Sequence, residues 1–363
     1  MFLISSEFPP GPGGIGYHAY SLCISLTEQG HNVIVMSPAD FVTKQEVDEF
    51  DEIQKFEIIR YRRVGLLTYI GRLIMTINYL ICNQIDIVIL TGKFSLWQGW
   101  VIKLLFKKQK TLAILHGSEV NLKNQFLRRF THNSINSANV LVAVSNFTKS
   151  ILPDWIKTNR EIHVIPNGIF VNEIILRGNE IHLDGFPKLI TVGHVSPRKG
   201  QHRVIKALPE MVKLFPEIKY HIVGRPVYQK KLEKLAEELG VVNHIQFHGR
   251  ITNHSDLSSY YKCADVFMLL SENQSDGDVE GYGIVALEAN EQGLAVIGAK
   301  YCGVEDAVDI GNSGYLVDGD SIVEICSAVE KCIAEKDRLA VASLRWAENH
   351  QWKFIVKKYE SLI

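Results

Sequence analysis

The sequence lacks the cysteine patterns of disulfide-rich proteins and of zinc sites. Its six cysteines include no Cys-x-x-Cys pair and no His/Cys cluster at zinc-ligand spacing. A secretory signal-peptide pattern is missing as well. We therefore expect reduced thiols and a cytoplasmic protein, attached at most peripherally to the inner face of a membrane. With 46% hydrophobic and 22% charged residues among 363, the composition is that of a globular chain of about two domains.

A clean membrane-spanning run is also absent. The most apolar long window, residues 64–82, is interrupted by Arg72 and Asn78. It therefore falls short of the roughly 20 apolar residues that a membrane helix needs. We interpret this window as a buried or surface-lying helix.

Acidic residues are scarce in one part of a chain whose net charge is −1. Between positions 60 and 160 there are fifteen Lys and Arg residues but three acids, Asp86, Glu119 and Asp154. One interpretation is a set of solvated faces balanced by the acid-rich stretch 40–57. The other is attraction to an anionic membrane surface or to a lipid-diphosphate acceptor. Nucleic acid is not an expected partner, because no nucleic-acid-binding motif accompanies the charge.

Short β-branched runs alternate with helical patterns in two successive series, which predicts parallel sheets with helices on both faces. The first series predicts strands at residues 1–5, 32–37, 85–90, 111–116, 139–144 and 161–165, and helices at 17–29, 95–107 and 121–136. The second series predicts strands at 188–195, 219–223, 244–248, 266–270, 294–298 and 314–317. A polar stretch with two glycines and a proline, residues 177–187, is the expected linker.

The expected fold class is therefore α/β, with two doubly wound, Rossmann-like domains facing a cleft. Ligands of such sheets bind outside the carboxyl ends of the strands. We place the first domain at residues 1–180 and the second at 181–340. A last helix is predicted from about Leu339 to Ile363, and residues 341–363 form a separate terminal segment.

Glu280 and Glu288 frame the most informative segment, with seven residues between them. If a helix starts near Gly283, its first-turn N–H groups form an anion site. Glu280 then lies just before that helix, and Glu288 lies about one and a half turns inside it. The two carboxylates can contact opposite ends of a ligand whose phosphates face the amides. A nucleotide sugar, with its hexose, diphosphate and ribose, has this layout.

This segment resembles the Glu-x7-Glu motif of the retaining glycosyltransferases of family four, which include sucrose, glycogen-type and bacterial mannosyl and glucosyl transferases. The resemblance extends over nearly the whole chain, because further motifs follow in the family's order: Gly13-Gly14-Ile15-Gly16, His116-Gly117, Pro166-Asn167-Gly168, Val192-Gly193 and Arg198-Lys199-Gly200. It implies the GT-B architecture, in which the first domain faces the acceptor and the second binds the nucleotide sugar. The terminal helix of that family crosses back to the first domain.

The resemblance implies transfer of a hexose from a UDP- or GDP-sugar to a glycan or lipid-linked acceptor, with retention and an α-linkage, in polysaccharide or glycolipid synthesis. The family's usual mechanism is a front-face displacement in which the leaving phosphate helps to deprotonate the incoming hydroxyl. Glu280 would orient the sugar and Glu288 would bind the ribose. Sugar and phosphate would be held by the backbone amides of Tyr282, Gly283, Ile284 and Val285. No cofactor is expected beyond the donor itself.

The stretch from Gly193 to Gly200 ends a predicted strand and leads into a helix. Two cations beside a helix N-terminus, Arg198 and Lys199, would neutralise a diphosphate leaving group. The family has an arginine directly after the first glycine, where this chain has His194. Lys199 matches the family's lysine, whereas Arg198 supplies a guanidinium only from a neighbouring position.

Glycine loops and one histidine complete the expected donor contacts. Gly14 and Gly16 follow the first strand, and the family's loop lets backbone amides approach the diphosphate and the acceptor; a plain tight turn is the alternative. A dinucleotide fingerprint is a poor match, because Pro12 lies inside the turn and no acidic residue ends the next strand. His116 closes a predicted strand, and the matching histidine of the family contacts the donor hexose near its reacting carbon.

Two further strand ends carry glycine and arginine. In the family the loops at Gly224 and Gly249 frame the nucleotide base, and Arg250 is a candidate contact to base or phosphate. Asp276 and Asp278 imitate a metal-binding Asp-x-Asp motif. We expect no metal, because Arg198 and Lys199 already serve the diphosphate and a short acidic pair is a poor site.

Two other functions remain open at this point. One is an enzyme of the same architecture, a nucleotide-sugar epimerase or a phosphorylase. The other is a non-catalytic carbohydrate- or lipid-binding subunit, for which the His194 departure leaves room.

Overall fold

The computed structural model describes residues 1–39, 42–62, 65, 67–170, 181–251 and 253–363. The chain forms two compact units, one of residues 1–168 with 352–363 and the other of residues 169–351. The expected domain end at residue 180 and the linker residues 177–180 lie outside the described part. Residues 341–351 group with the second unit, although they were expected in the terminal segment.

The described residues of the first unit form a seven-stranded parallel sheet. Its strands are β1 Phe2–Ser5, β2 Ile34–Pro38, β3 Glu57–Tyr61, β4 Ile87–Thr91, β5 Lys110–Leu115, β6 Val140–Ala143 and β7 Ile162–Val164, in the order β3-β2-β1-β4-β5-β6-β7. Its helices are α1 Gly14–Glu28, α2 Lys44–Glu52, α3 Leu67–Cys82, α4 Lys93–Leu105, α5 Gln125–Ser137, α6 Asn146–Ser150 and α7 Asp154–Asn159. The central strands are continuous apolar runs because helices cover both faces of the sheet.

The second unit repeats this plan with six strands in its described residues. They are β8 Lys188–Val192, β9 Lys219–Val223, β10 Ile245–Gly249, β11 Val266–Leu269, β12 Val296–Ala299 and β13 Gly314–Val317, in the order β10-β9-β8-β11-β12-β13. The helices are α8 Gln201–Leu214, α9 Gln229–Glu238, α10 His254–Cys263, α11 Ile284–Glu291, α12 Ile322–Ala334 and α13 Lys336–Asn349. The last helix, α14 Trp352–Glu360, returns to the first unit.

The order of strands reverses once in each sheet, between β1 and β4 and between β8 and β11. Loops that follow the two strands at such a switch point diverge and leave a crevice at the carboxyl edge. Ligand contacts are therefore expected from the loops after β1 and β4 in one unit and after β8 and β11 in the other.

Two expectations from the sequence were wrong in detail. Strand β3 was not predicted, because it is a partly exposed edge strand whose Glu57 and Arg60 interrupt the apolar pattern. The single terminal helix is two helices, α13 and α14. It breaks because Gln351 forms a bridge with Ile169 and the carbonyl of His350 accepts the Ile169 amide at 2.9 Å.

The window at 64–82 forms a helix from Leu67 onward, and Val64 lies outside the described residues. Within the described residues, every helix is too short or too polar to cross a bilayer.

Candidate functional site

Two loops meet at the switch point of the second unit and bring together three of the predicted site residues. The loop after β8 carries Arg198 and Lys199, and the loop after β11 carries Glu280. The Glu280 carboxylate lies 2.6 Å from the Lys199 ammonium and 2.5 Å from the Arg198 guanidinium. Glu280 and Lys199 are each only 8% exposed. The three side chains thus form a compact, buried ionic cluster, which we call the Glu280 cluster.

The charge state of this cluster follows from its composition. Burial opposes ionisation of Glu280, but Lys199 and Arg198 outweigh it and hold the pKa of the Glu280 carboxyl below its usual value. A lysine ammonium has three donors, so the bond to Glu280 leaves donors for a ligand. Asp278 also pairs with Arg198 at 3.0 Å, so two carboxylates balance the two cations of the cluster. The additional positive charge that suits a diphosphate comes from Arg225 and Arg250, which lie in the same neighbourhood.

Tight glycine packing sets the position of the cations. Gly200 adopts a left-handed conformation (φ 71°), and a Cβ there would lie 1.8 Å from the carbonyl oxygen of Leu270. A Cβ on Gly224 would lie 1.7 Å from the Gly193 carbonyl oxygen. Gly193 in turn packs against the Lys199 side chain, with 3.3 Å between an added Cβ and Cε. Any side chain at position 200 would clash with Leu270 and would push the loop that carries Arg198 and Lys199 away from β11.

His194 lies among several cations at the carboxyl edge of the sheet of the second unit. Burial lowers the pKa of its imidazole, and Arg225, Lys199, Arg198 and Arg250 lower it further. The predicted Arg250 therefore shares one electrostatic neighbourhood with the cluster. Gly224 and Gly249 are neighbours as well, since the Gly224 amide donates to the Gly249 carbonyl at 2.7 Å. Arg225, which follows Gly224, was not among the predicted site residues.

Helix α11 begins where the Glu-x7-Glu segment predicted. Gly283 is its N-cap, with φ 84°, so the amides of Ile284 and Val285 belong to the first turn. Glu280 precedes the helix and Glu288 lies inside it, where its carboxylate accepts the Tyr261 hydroxyl at 3.0 Å. The Tyr282 side chain is buried. Gly303 holds the loop in place, because its amide donates to the Glu280 carbonyl at 2.8 Å and a Cβ there would lie 2.1 Å from the Gly281 backbone.

The site residues of the first unit lie at the carboxyl edge of its sheet. His116 follows β5, and its Nε2 lies 2.9 Å from the Thr91 hydroxyl at the end of β4. Burial lowers the pKa of His116 to about 3, so the ring is neutral. A neutral imidazole here can act as a hydrogen-bond partner for a sugar hydroxyl.

The glycine loop has a packing role at one position and open space at another. Helix α1 starts at Gly14, where an added Cβ would meet nothing within 4 Å. At Gly16 an added Cβ would lie 2.9 Å from the backbone of Glu7 and Phe8, so Gly16 lets the helix pack against the loop after β1. Gly16 therefore has a packing role, and the donor contacts of Gly14 and Gly16 stay a prediction.

Comparison with known proteins identifies the family. The pattern described as "Glycosyltransferase Family 4" matches residues 12–173, and the pattern described as "Glycosyl transferases group 1" matches residues 175–350. The chain belongs to the glycosyltransferases of the family-four type, with the GT-B fold. The two patterns together cover both units, in agreement with the resemblance drawn from the sequence.

Relatives and solved structures agree with that assignment. A GDP-mannose-dependent α-(1-6)-phosphatidylinositol monomannoside mannosyltransferase of Mycolicibacterium smegmatis is 28% identical over 97% of this chain and 95% of its own. Sucrose-phosphate synthase from Thermosynechococcus elongatus has a TM-score of 0.80 and 17% identity, covering 99% of this chain and 97% of that one. Anabaena HepE in complex with UDP has a TM-score of 0.76 and 17% identity, covering 100% and 99%. These two structures match this glycosyltransferase in fold.

Sequence reasoning missed the carboxylate that supports His116. Glu119 is 3% exposed, and its Oε1 accepts the backbone amide of His116 at 2.5 Å. Burial raises the pKa of Glu119 to about 7, with the neighbouring Glu7 also raising it and backbone hydrogen bonds opposing both. Its spacing, three residues after a strand-ending histidine, is the available sequence signal, since a side chain at that distance can reach back to cap the turn.

A second missed residue is His18 of α1. It is fully buried, its ring lies 4.9 Å from that of His116, and its Nε2 lies 3.2 Å from the Tyr359 hydroxyl of α14. Burial lowers the pKa of His18, so this glycosyltransferase keeps a neutral histidine pair beside the loop after β5.

One cation of the basic first half does not belong to any exposed patch. Arg60 forms an ion pair with Asp51 at 2.6 Å and donates to the Ser37 hydroxyl at 3.0 Å, leaving its side chain 12% exposed. These partners hold the guanidinium against the sheet edge, so Arg60 cannot contribute to a membrane-facing cationic surface. Arg63 lies outside the described residues.

Proposed function

We propose that this glycosyltransferase moves a hexose, with retention and an α-linkage, from a GDP-sugar to a lipid-linked acceptor. The Glu280 cluster at the switch point of the second unit carries the proposal. It combines two cations for a diphosphate with a carboxylate for sugar hydroxyls, directly before the first turn of α11. GDP-mannose is the first candidate donor, because the M. smegmatis relative, similar over nearly its whole length, is GDP-mannose-dependent.

In the proposed reaction, Lys199 and Arg198 stabilise the charge that grows on the departing diphosphate. Glu280 orients the hexose, Glu288 binds the ribose, and neutral His116 contacts the hexose near its reacting carbon. The leaving phosphate takes the proton of the acceptor hydroxyl. Most of the rate enhancement would then come from positioning and preorganised charge.

Thermal-shift measurements with GDP-mannose, GDP, UDP-glucose and UDP test the donor. We expect stabilisation by the guanosine compounds at concentrations where the uridine compounds have little effect. Product analysis by NMR, with and without a lipid-linked acceptor, then tests the reaction. An α-linked product supports it, sugar isomerisation without acceptor would favour an epimerase, and binding without turnover would favour a recognition subunit.

We also propose that transfer needs no divalent metal. Asp276 accepts the backbone amide of Asp278 at 3.0 Å, and Asp278 forms an ion pair with Arg198 at 3.0 Å. These carboxylates thus serve the loop that carries the Glu280 cluster. Activity should survive EDTA; abolition by EDTA with recovery on adding Mn²⁺ would make Asp276 and Asp278 metal ligands.

A membrane-bound acceptor is favoured by the orientation of α3. Its inner face is polar at Arg72, which is 3% exposed and donates to the Ser95 hydroxyl at 2.5 Å, and at Thr76, which donates to Gln98 at 2.9 Å. One turn further on, Leu80 joins the apolar core. Its outer face is apolar, with Leu67 70%, Ile70 59% and Ile81 67% exposed.

Up to Thr76, this arrangement reverses that of an ordinary surface helix, whose apolar stripe faces the core. The reversed helix suits partial burial in a bilayer interface. Exposed cations elsewhere on the first unit, such as Lys107 and Lys108, would add attraction to anionic lipids. We propose that the protein acts peripherally on such a surface.

A further inference from the structure

A groove on the first unit has the chemistry of a phosphate site and contains none of the residues assigned above to donor or catalysis. It has a volume of about 730 Å³ and lies between α5 and the turn that joins α6 to α7. This volume is within the range of ordinary small-molecule sites.

One wall of the groove is a polar face of α5. Gln125, Arg128, Arg129 and His132 are spaced as one helix face requires, at i, i+3, i+4 and i+7. Asn121 and Asn133 add carboxamides beside them. Among the described residues, the lining includes no carboxylate, and no acidic side chain forms an ion pair with either arginine.

Two adjacent guanidiniums that no described acidic side chain pairs with favour an anion. Arginine presents a planar fork of donors that matches phosphate oxygens in a bidentate manner. The carboxamides can bind hydroxyl groups as well as phosphate, because each has donors and an acceptor. A phosphate attached to a hydroxylated ring satisfies all of these groups.

The opposite wall is apolar and partly aromatic. Trp155, at the start of α7, is 42% exposed, and Pro153 and Ile151 lie beside it. An indole face against a polar wall suits the C–H face of a sugar or polyol ring and is not required by an inorganic ion.

The groove is tied to the loop that begins at His116. The amides of Val120 and Asn121 both donate to the Gly117 carbonyl, at 2.9 and 3.2 Å. The Nε2–H of His132 donates to the Val120 carbonyl at 2.9 Å, so α5 and this loop are joined at the floor of the groove. Burial lowers the pKa of His132, and Arg128 lowers it further against the effect of that hydrogen bond.

We propose that this groove binds the phosphate and the adjoining sugar or polyol ring of the acceptor headgroup. The assignment to the acceptor rests on the proposed function, whereas binding of a phosphorylated ring to the groove can be measured without any transfer reaction. The same chemistry is offered by a lipid headgroup and by a soluble phosphorylated sugar.

Calorimetry with myo-inositol 1-phosphate tests the site on the intact chain. We expect wild-type protein to bind it, to bind unphosphorylated myo-inositol far more weakly, and to lose at least tenfold in affinity for the phosphate in the double variant Arg128→Ala/Arg129→Ala. The double variant Arg128→Lys/Arg129→Lys should fall between the two, because lysine keeps the charge and loses the fork.

The matched control is Lys44→Ala/Lys55→Ala, which removes two exposed positive charges from the same unit. It should leave inositol phosphate affinity unchanged. Affinity for GDP should stay at the wild-type value in all three variants. GDP binding therefore reports on the proposed donor site, and inositol phosphate binding reports on the groove. Absence of wild-type binding, equal affinity in the Arg128→Ala/Arg129→Ala variant, or an equal loss in the control would each overturn the proposal.

Vesicles separate the two sources of the ligand. If the headgroup of a lipid occupies the groove, wild-type protein should bind phosphatidylinositol vesicles more tightly than phosphatidylglycerol vesicles of equal charge, and Arg128→Ala/Arg129→Ala should abolish that difference. If a soluble phosphorylated sugar occupies it, the two vesicle types should bind equally while the calorimetric result stands. Either vesicle result supports the phosphate site, whereas absence of inositol phosphate binding by the wild-type protein in calorimetry refutes it.

Discussion

Lys199 is the residue on which the proposed donor site depends most directly. Its ammonium is held between Glu280 and the glycine of the loop after β8, which positions it before any ligand arrives. Lys199→Ala should weaken GDP binding by about 1.5–3 kcal/mol, because a charge-assisted contact is lost. Calorimetry measures this, with exposed Lys206→Ala of α8 as the control and the Tm as a check on folding. Wild-type affinity in Lys199→Ala would refute the assignment.

The two glutamates of the Glu-x7-Glu segment should differ in their kinetic effects. Glu288→Gln should raise the donor KM, since ribose contacts act equally in the ground and transition states. Glu280→Gln should mainly lower kcat, because it removes the carboxylate that orients the sugar and that balances Lys199 and Arg198. Steady-state kinetics with varied donor separates the two effects. If both variants keep wild-type kinetics, the pair has no role in transfer.

Glu119 should make stability depend on pH. Its pKa of about 7 in the folded chain lies above the ordinary 4.5. The folded state therefore binds more protons than the unfolded state between about pH 4.5 and pH 7. The stabilisation is complete below that window and is lost as the pH rises through it.

The variant Glu119→Gln keeps an acceptor for the His116 amide and cannot ionise. Relative to wild type, we expect it to lose less stability between pH 5 and pH 8 in urea unfolding. Exposed Glu161→Gln is the control. A difference between Glu119→Gln and wild type that is the same at both pH values would show that Glu119 does not titrate in this range.

At the scale of elements, helix α3 tests the membrane proposal. Replacing two exposed side chains, in Ile70→Asn/Ile74→Asn, should weaken the part of vesicle binding that survives 1 M salt, because it removes apolar area from the outer face. Charge attraction should weaken instead with salt, as the Debye length falls from about 10 Å at 0.1 M to 3 Å at 1 M. Co-sedimentation with anionic vesicles measures both parts.

A matched pair on the second unit controls for lost apolar surface. Val323 and Val341 are 79% and 62% exposed, and Val323→Asn/Val341→Asn should leave vesicle binding unchanged. Binding that vanishes entirely at high salt would assign the attachment to the cations alone. No binding to anionic vesicles at low salt would refute the membrane surface.

Elements were more predictable than their exposed faces. The expected strands at 219–223 and 314–317 coincide with β9 and β13, because a buried parallel strand is a short apolar run between turn residues. The apolar window at residues 64–82 likewise indicated the helix that became α3, but the sequence leaves open which face of that helix is buried. That choice depends on Ser95 and Gln98 of α4, which bind the polar face of α3 in the folded chain.

At the scale of the whole molecule, the first unit is completed by the end of the chain. Trp352 of α14 is 1% exposed, packs against Gly168 and lies 5.2 Å from the His18 ring. Trp352→Ala should cost about 3–5 kcal/mol of the stability of that unit. Phe354→Ala on the same helix, at a side chain 43% exposed, should cost far less. Equal losses in urea unfolding would show that α14 does not complete the core.

The sequence by itself determined the α/β class, the two-unit plan, the family and the residue types of the proposed donor site. These depend on short-range information: strand and helix periodicity, glycines at strand ends, and motifs read within a dozen residues. The tertiary structure decided which of those residues meet. Glu280 and Arg198 are 82 positions apart and come together because β8 and β11 are neighbours at the switch point. Burial of Glu119, the pairing of Arg60 and the arginine groove beside α5 likewise arise from contacts between distant segments, which a linear pattern does not specify.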